Sequence, residues 1–516
     1  MQTVQEAITQ AVSRKEWARV TELIGEHWST LMTQSREVLR TAVNGLPEEI
    51  VQNDSRWSAA RDYLNFIPAA GEARPVQYHH SPANPGDLLD VLASLTSKSA
   101  ALRASGRFVD AENAADEAIA TLDDVSPEVR DTITHVLAEL QLQWAISVFY
   151  AGDFDSALRR FEITYDDAFA AANTRIAVEA AGTSALIFAL MGDNEQSLRW
   201  LARVPEYRDA AATDTVQLAR HLTRAILAIA RLDPDAAQAE MDAAPAYSAT
   251  PEHWALRALV DAALATTWGD PLAGLARLRA EKVAHSPTSW GGGLNQRLIA
   301  SAEGGLLLAA GNPLEALNTA SAVRNDQRGV GDEHISVLAM WAELELGEVS
   351  RALVLCSAYT PMLQGTVCTS INALVVASAG HWQTGATDTA SALFSTAVTL
   401  MRQHESWRTL ARLQASVRAE LLASIHAALP EEIVVALAAT NPAPPPSPGP
   451  HAVLSPREKV VTGYLVRGFS VRDIADAEHV SANTVKTQVR SLYRKLGVSG
   501  RIEAVGVALA QPTLWS

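Results

Sequence analysis

Ser481-Ala-Asn-Thr-Val-Lys-Thr-Gln-Val-Arg-Ser-Leu-Tyr-Arg-Lys-Leu496 is the most specific stretch in the chain, and its spacing predicts one helix with two chemically distinct faces. With successive residues 100° apart, Val485, Val489, Leu492 and Leu496 fall together and must face a core. Asn483, Lys486, Thr487, Arg490 and Arg494 fall on the opposite side, and none of them is acidic. A polar, cationic face with an apolar back suits the DNA major groove, which admits one α-helix and offers acceptors to Lys and Arg.

Two shorter helices are predicted before it. Ser455-Pro456-Arg457-Glu458 has the pattern of a capping box with proline at the first helical position. Val460, Val461, Tyr464 and Leu465 form the apolar stripe of that helix, and Gly468 ends it. Ser470 to Asp473 caps a second helix with Ile474 and Ala475 inward, and Glu478-His479-Val480 makes the turn into the third, which Ser481 caps.

The balance of charge follows the same division. From His451 to the end there are nine Lys and Arg against five Asp and Glu, a balance of +4 within a chain whose net charge is -16. Residues 1–450 therefore carry 33 against 53, or -20. An acidic body with a basic tail domain places phosphate binding in the tail.

Leu454 to Val498 closely resembles the LuxR-type helix-turn-helix family, with Glu458, Gly468, Ile474, Ala475, Val480, Ser481, Thr484, Val485, Lys486, Val489, Lys495, Leu496 and Arg501 on the family pattern. With the domain it marks, 451–516, the resemblance covers about an eighth of the chain. It implies a four-helix domain, 451–516, that binds double-stranded DNA as a homodimer paired through a closing helix from Arg501. It further implies base contacts from Lys486, Thr487 and Arg490 and phosphate contacts from Thr484, Arg494 and Lys495. Three positions depart from the pattern: Gln488 replaces a histidine, Glu478 stands where a leucine normally packs, and Gly500 occupies a position that commonly caps the last helix. Glu478 is compatible with a packed domain only if it points outward.

Upstream, Asn441-Pro-Ala-Pro-Pro-Pro-Ser-Pro-Gly-Pro450 holds six prolines in ten residues and reads as an extended spacer of about 30 Å, within a linker drawn at 431–450. A weaker break, 67–86, contains Tyr78-His79-His80, read as solvated loop histidines. Between the breaks, residues 87–430 repeat loosely. Turns at Gly106, Gly152, Gly192, Leu232, Gly269, Gly311, Gly347 and Gly380 are 33 to 46 residues apart. After them, small and large apolar residues recur at helical spacing, as in Phe154, Ala157, Leu158 and Phe161, or Leu314, Ala316, Leu317 and Ala320.

Repeated helix pairs cannot bury their apolar faces alone and must stack. The units resemble degenerate tetratricopeptide repeats, which makes the expected fold all-α: a helical-repeat superhelix, a proline-rich linker and the DNA-binding domain. Residues 1–66, with turns at Lys15-Glu16-Trp17 and Leu46-Pro47-Glu48-Glu49, are expected to be helical hairpins that start the array. The twelve tryptophans are expected to pack.

Cys356 and Cys368 follow no zinc-ligand spacing and are expected to be buried thiols in a reducing cytoplasm, with no metal, cofactor or membrane span. None of the six lysines follows a glycine, so no phosphate loop is present, and no hydrolase or zinc-protease signature occurs. The chain thus resembles a large maltose-regulator-type activator that begins after its ATPase domain. The expected function is a non-enzymatic DNA-binding transcription regulator whose repeats sense a peptide, protein or small molecule. The alternative is a helical-repeat scaffold with a vestigial DNA-binding tail.

Overall fold

The joint Gly152-Asp153 shows how the body is built. Gly152 closes the helix Thr134–Ala151 at φ 102°, a left-handed conformation that glycine adopts without the Cβ penalty. Asp153 then caps the helix Phe154–Ala170 by accepting from the Ser156 amide at 3.0 Å. A turn this short returns the chain along the helix it has just left. The device recurs at Gly192-Asp193, where Asp193 accepts from the Gln196 amide. It recurs at Leu232-Asp233 with a leucine at φ 64° in the glycine's place.

The computed structural model describes residues 4–53, 57, 60, 61, 64, 88–204, 214–244, 253–285, 290–323, 331–359, 365–426, 428–441, 455–496, 500, 501, 504, 505 and 508. Among these every regular element is an α-helix or a turn. The histidine pair His79-His80 and the prolines from Pro442 to Pro450 lie outside the described residues.

One buried core runs from Phe108 to Leu437. The helices Thr174–Met191, Gly293–Ala309 and Val367–Gln383 are buried on most of their circumference, and accordingly their sequences are apolar or small nearly all round. Thr174–Met191 is 18 residues long and apolar enough to cross a membrane by length and composition, and 67% of it is buried among its neighbours. Close packing of these helices depends on small residues. A Cβ on Gly304 would lie 2.2 Å from Leu338 Cδ2, so that helix pair could not approach as it does with alanine there. Trp144, Trp254 and Trp341 are fully buried, which places them in packing. Residues 4–64 have a separate core, centred on Ile8, Ile24, Leu31, Leu39 and Val43.

Contacts also join helices far apart in sequence. Asn194 Nδ2 donates to the His404 carbonyl at 2.6 Å, the Trp407 amide to Ala230 O at 2.7 Å, and His334 Nε2 to Leu190 O at 3.0 Å. A stack whose units touch only their neighbours would have none of these bonds.

Three sequence readings change. Gly380 is not a turn: it lies inside Val367–Gln383, where a Cβ would meet Val349 Cγ1 at 3.1 Å. The chain turns instead at Gly385, φ 81°. Leu314 is 57% exposed, because Pro313 turns inward at the start of its helix and takes the core position. The linker does not begin at residue 431. Glu431–Ala438 is a helix whose Ile433 and Leu437 join the main core. Beyond it, the Asn441 amide donates to Thr267 O at 2.8 Å, and its side chain bonds the carbonyls of Ala265, Thr266 and Gly269.

Candidate nucleic-acid interface

Three helices, Pro456–Val466, Val471–Ala477 and Ala482–Leu496, enclose a small core of Val461, Leu465, Ile474, Ala475, Val485, Val489 and Leu492, completed by Ala504. The caps that define them are local. Ser455 Oγ accepts from the Glu458 amide at 3.3 Å while Glu458 Oε2 accepts from the Ser455 amide at 2.7 Å. Ser470 and Asp473 make the same reciprocal pair at 3.3 and 2.8 Å. There the hydrogen bond from the Ser470 hydroxyl is the main reason the Asp473 carboxyl is held below its ordinary range. Ser481 Oγ accepts from the Thr484 amide at 3.1 Å, and a capped terminus leaves fewer orphan amides at the start of the third helix.

That third helix carries its polar face outward. Asn483, Thr484, Lys486, Thr487 and Arg490 are all exposed, whereas Val485, Val489 and Leu492 are buried on the opposite side. Among the described residues no carboxylate pairs with Lys486 or Arg490, and both are exposed. Thr487 Oγ1 donates to the Asn483 carbonyl at 2.9 Å, which leaves its methyl and the oxygen lone pairs for a partner. Gln488 is half-buried at the edge of the face. Arg494 and Lys495 belong to the helix by their backbone, and their side chains lie outside the described residues.

The departures from the family pattern resolve without harm to the core. Glu478 is exposed, and its carboxylate accepts from the Tyr464 hydroxyl, a bond that raises the phenol's pKa above its ordinary value. Gly500 offers no side-chain cap, yet the Ala504 amide donates to its carbonyl at 3.0 Å, the first bond of the closing turn. Val460, read as part of the inward stripe, is 42% exposed, because the core takes Val461 and Leu465, four residues apart.

One feature escaped the sequence reading. Arg467 lies over the Tyr464 ring, 4.6 Å from its centroid, and Tyr464 packs edge-on to Phe469. The signal was the aromatic pair on either side of Gly468, whose φ of 92° folds Phe469 back toward the first helix.

A family model described as bacterial regulatory proteins, luxR family, matches residues 452–508. Over 75 residues the chain is 37% identical to transcriptional regulatory protein ComA of Bacillus subtilis, covering 14% of this chain and 35% of that one. Over 62 residues it is 47% identical to the probable transcriptional regulatory protein NarL of Mycobacterium tuberculosis, covering 12% and 29%. Over 52 residues it is 48% identical to the HTH-type transcriptional regulator MalT of Yersinia pestis, covering 10% and 6%. The likeness to these curated relatives thus spans about a third of the first two and a small fraction of the third, all in the helix-turn-helix region.

Proposed function

With residues 452–508 established as a LuxR-type helix-turn-helix domain, we propose that the chain is a DNA-binding transcription regulator. In this reading the helix Ala482–Leu496 enters the major groove. The observation that carries it is the exposed, acid-free face on which Lys486 and Arg490 stand one turn apart, backed by a core of its own. Lys486, Thr487 and Arg490 read bases, while Asn483, Thr484, Arg494 and Lys495 position the helix on phosphates. The helix dipole supports this assignment, since its positive end favours a phosphate beside Thr484.

Two such domains pair on DNA through the segment from Arg501, and the helices of residues 87–430 form a tetratricopeptide-like array that senses an effector. The alternating capped turns and the apolar inner helices support the array reading. Selection from random duplexes with the full chain tests the function. A regulator returns one enriched motif with two half-sites about one DNA turn apart, and a scaffold with a vestigial tail returns no motif.

A further inference from the structure

The inner helices from Thr174–Met191 to Val367–Gln383, together with residues 406–412, line a half-open cavity of about 230 Å³. For scale, an apolar cavity of roughly 150 Å³ takes benzene. Half of the lining residues are alanines or branched aliphatics such as Leu190, Ile226, Val260 and Leu338, and neutral polar side chains including Asn194, His334 and Asn372 lie among them. Two guanidinium groups supply the cavity's permanent charge. Arg408 donates from Nε to Thr267 Oγ1 at 3.0 Å and from Nη2 to Thr266 Oγ1 at 2.9 Å, so both partners are neutral hydroxyls. Arg412 lies 4.4 Å from the centroid of the Trp341 ring.

Neither arginine has a carboxylate within salt-bridge distance among the described residues. Glu345 attracts Arg412 from further away, across a smaller neighbouring cavity that both line. Burial raises the Glu345 carboxyl to about 7, against the attraction of Arg412. Arg412 is pushed down to about 10 by the same burial and stays cationic. Both guanidinium groups are half-buried, and a charge partly withdrawn from water favours an anionic partner. Here the wall holds two cations and at most one distant anion.

We propose that this cavity binds a small amphipathic carboxylate, its head on Arg408 and Arg412 and its hydrocarbon body against the aliphatic wall. The threonine bonds hold the Arg408 fork in place before the ligand arrives, and the Trp341 ring does the same for Arg412, so little side-chain freedom remains to be lost on binding. A carboxylate matches a guanidinium in geometry as well as charge. To call this ligand the effector rests on the regulator reading, but its binding does not, because it is measured without DNA.

Calorimetry on the full chain with octanoate, 1-octanol and octylammonium decides the matter. Octanoate is expected to bind one per chain, about tenfold or more tighter than octanol, with octylammonium showing no binding. Arg408→Gln should remove the preference for octanoate over octanol. Gly305→Leu provides an independent variant on another helix. Gly305 lines the cavity, and its Cβ would meet no atom within 4 Å, so leucine fills the cavity while favouring the helix. That variant should keep or raise the melting temperature and lose octanoate binding. The proposal is overturned if wild type fails to bind octanoate, if octanol binds equally well, or if the Gly305→Leu protein still takes up octanoate.

Discussion

Asn194 and His404 are 210 residues apart and joined by one buried bond, the Asn194 side-chain Nδ2 donating to the His404 carbonyl at 2.6 Å. Asn194 is 3% exposed and His404 7%, so the bond is sheltered from bulk solvent. The bond ties the start of the helix Asn194–Arg203 to the end of the helix Thr387–Gln403. Asn194→Ala should therefore cost about 1–3 kcal/mol, the usual penalty for stranding a buried acceptor. A denaturant midpoint unchanged from wild type would show that the two ends of the core are held by other contacts.

Alanine at Lys486 or at Arg490 is expected to cost about 1–3 kcal/mol on the preferred site and to relax the preference at one base position. Arg494→Ala should instead weaken all duplexes to a similar degree and lower the salt slope by about one. Binding titrations on matched and mismatched duplexes separate the two patterns, and uniform weakening by Lys486→Ala would reassign that residue to the backbone.

Glu345 makes stability pH-dependent. Burial is the main cause of its raised pKa, opposed by the attraction of Arg412, and the folded value of about 7 lies above the ordinary 4.5. A raised carboxyl favours the protonated form in the native state. Its contribution is fully present below the unfolded pKa and is lost as pH rises through about 7, by at most about 3 kcal/mol. Glu345→Gln should flatten the fall in melting temperature between pH 5 and 8, and a wild-type slope retained in the variant would place the titrating group elsewhere.

The acidic body should oppose DNA binding at low salt. Residues 1–450 carry -20 against +4 on the rest, and the repulsion is screened over a Debye length of about 8 Å at physiological salt. Residues 451–516 have a core of their own and should bind one operator at least as tightly per dimer as the full chain at low salt, the gap closing as salt rises. Tighter binding by the full chain at every salt concentration would show that the body contributes contacts to DNA.

The features legible in the sequence are those whose causes lie within a few residues of each other. Reciprocal caps at Ser455 with Glu458 and at Ser470 with Asp473, the glycine and aspartate at 152 and 153, and the apolar spacing of Val485, Val489 and Leu492 are interactions of the chain with its own next turn. Such patterns define the helices of the DNA-binding domain and the polar face of its third helix without knowledge of anything distant. Tertiary structure decided the rest. Gly380 has the composition of a turn but is held in a helix by Val349 and Leu353 packed against it. Leu314 has a core residue's side chain and faces out because Pro313 reached the core first. Residues 431–438 look like the start of a linker until the main core takes up Ile433 and Leu437. Arg408 and Arg412 carry no sign in the sequence that they line a cavity. Their surroundings come from helices as distant in sequence as the one that holds Ala189 and Leu190, and local spacing holds no information about which distant surface a side chain will meet.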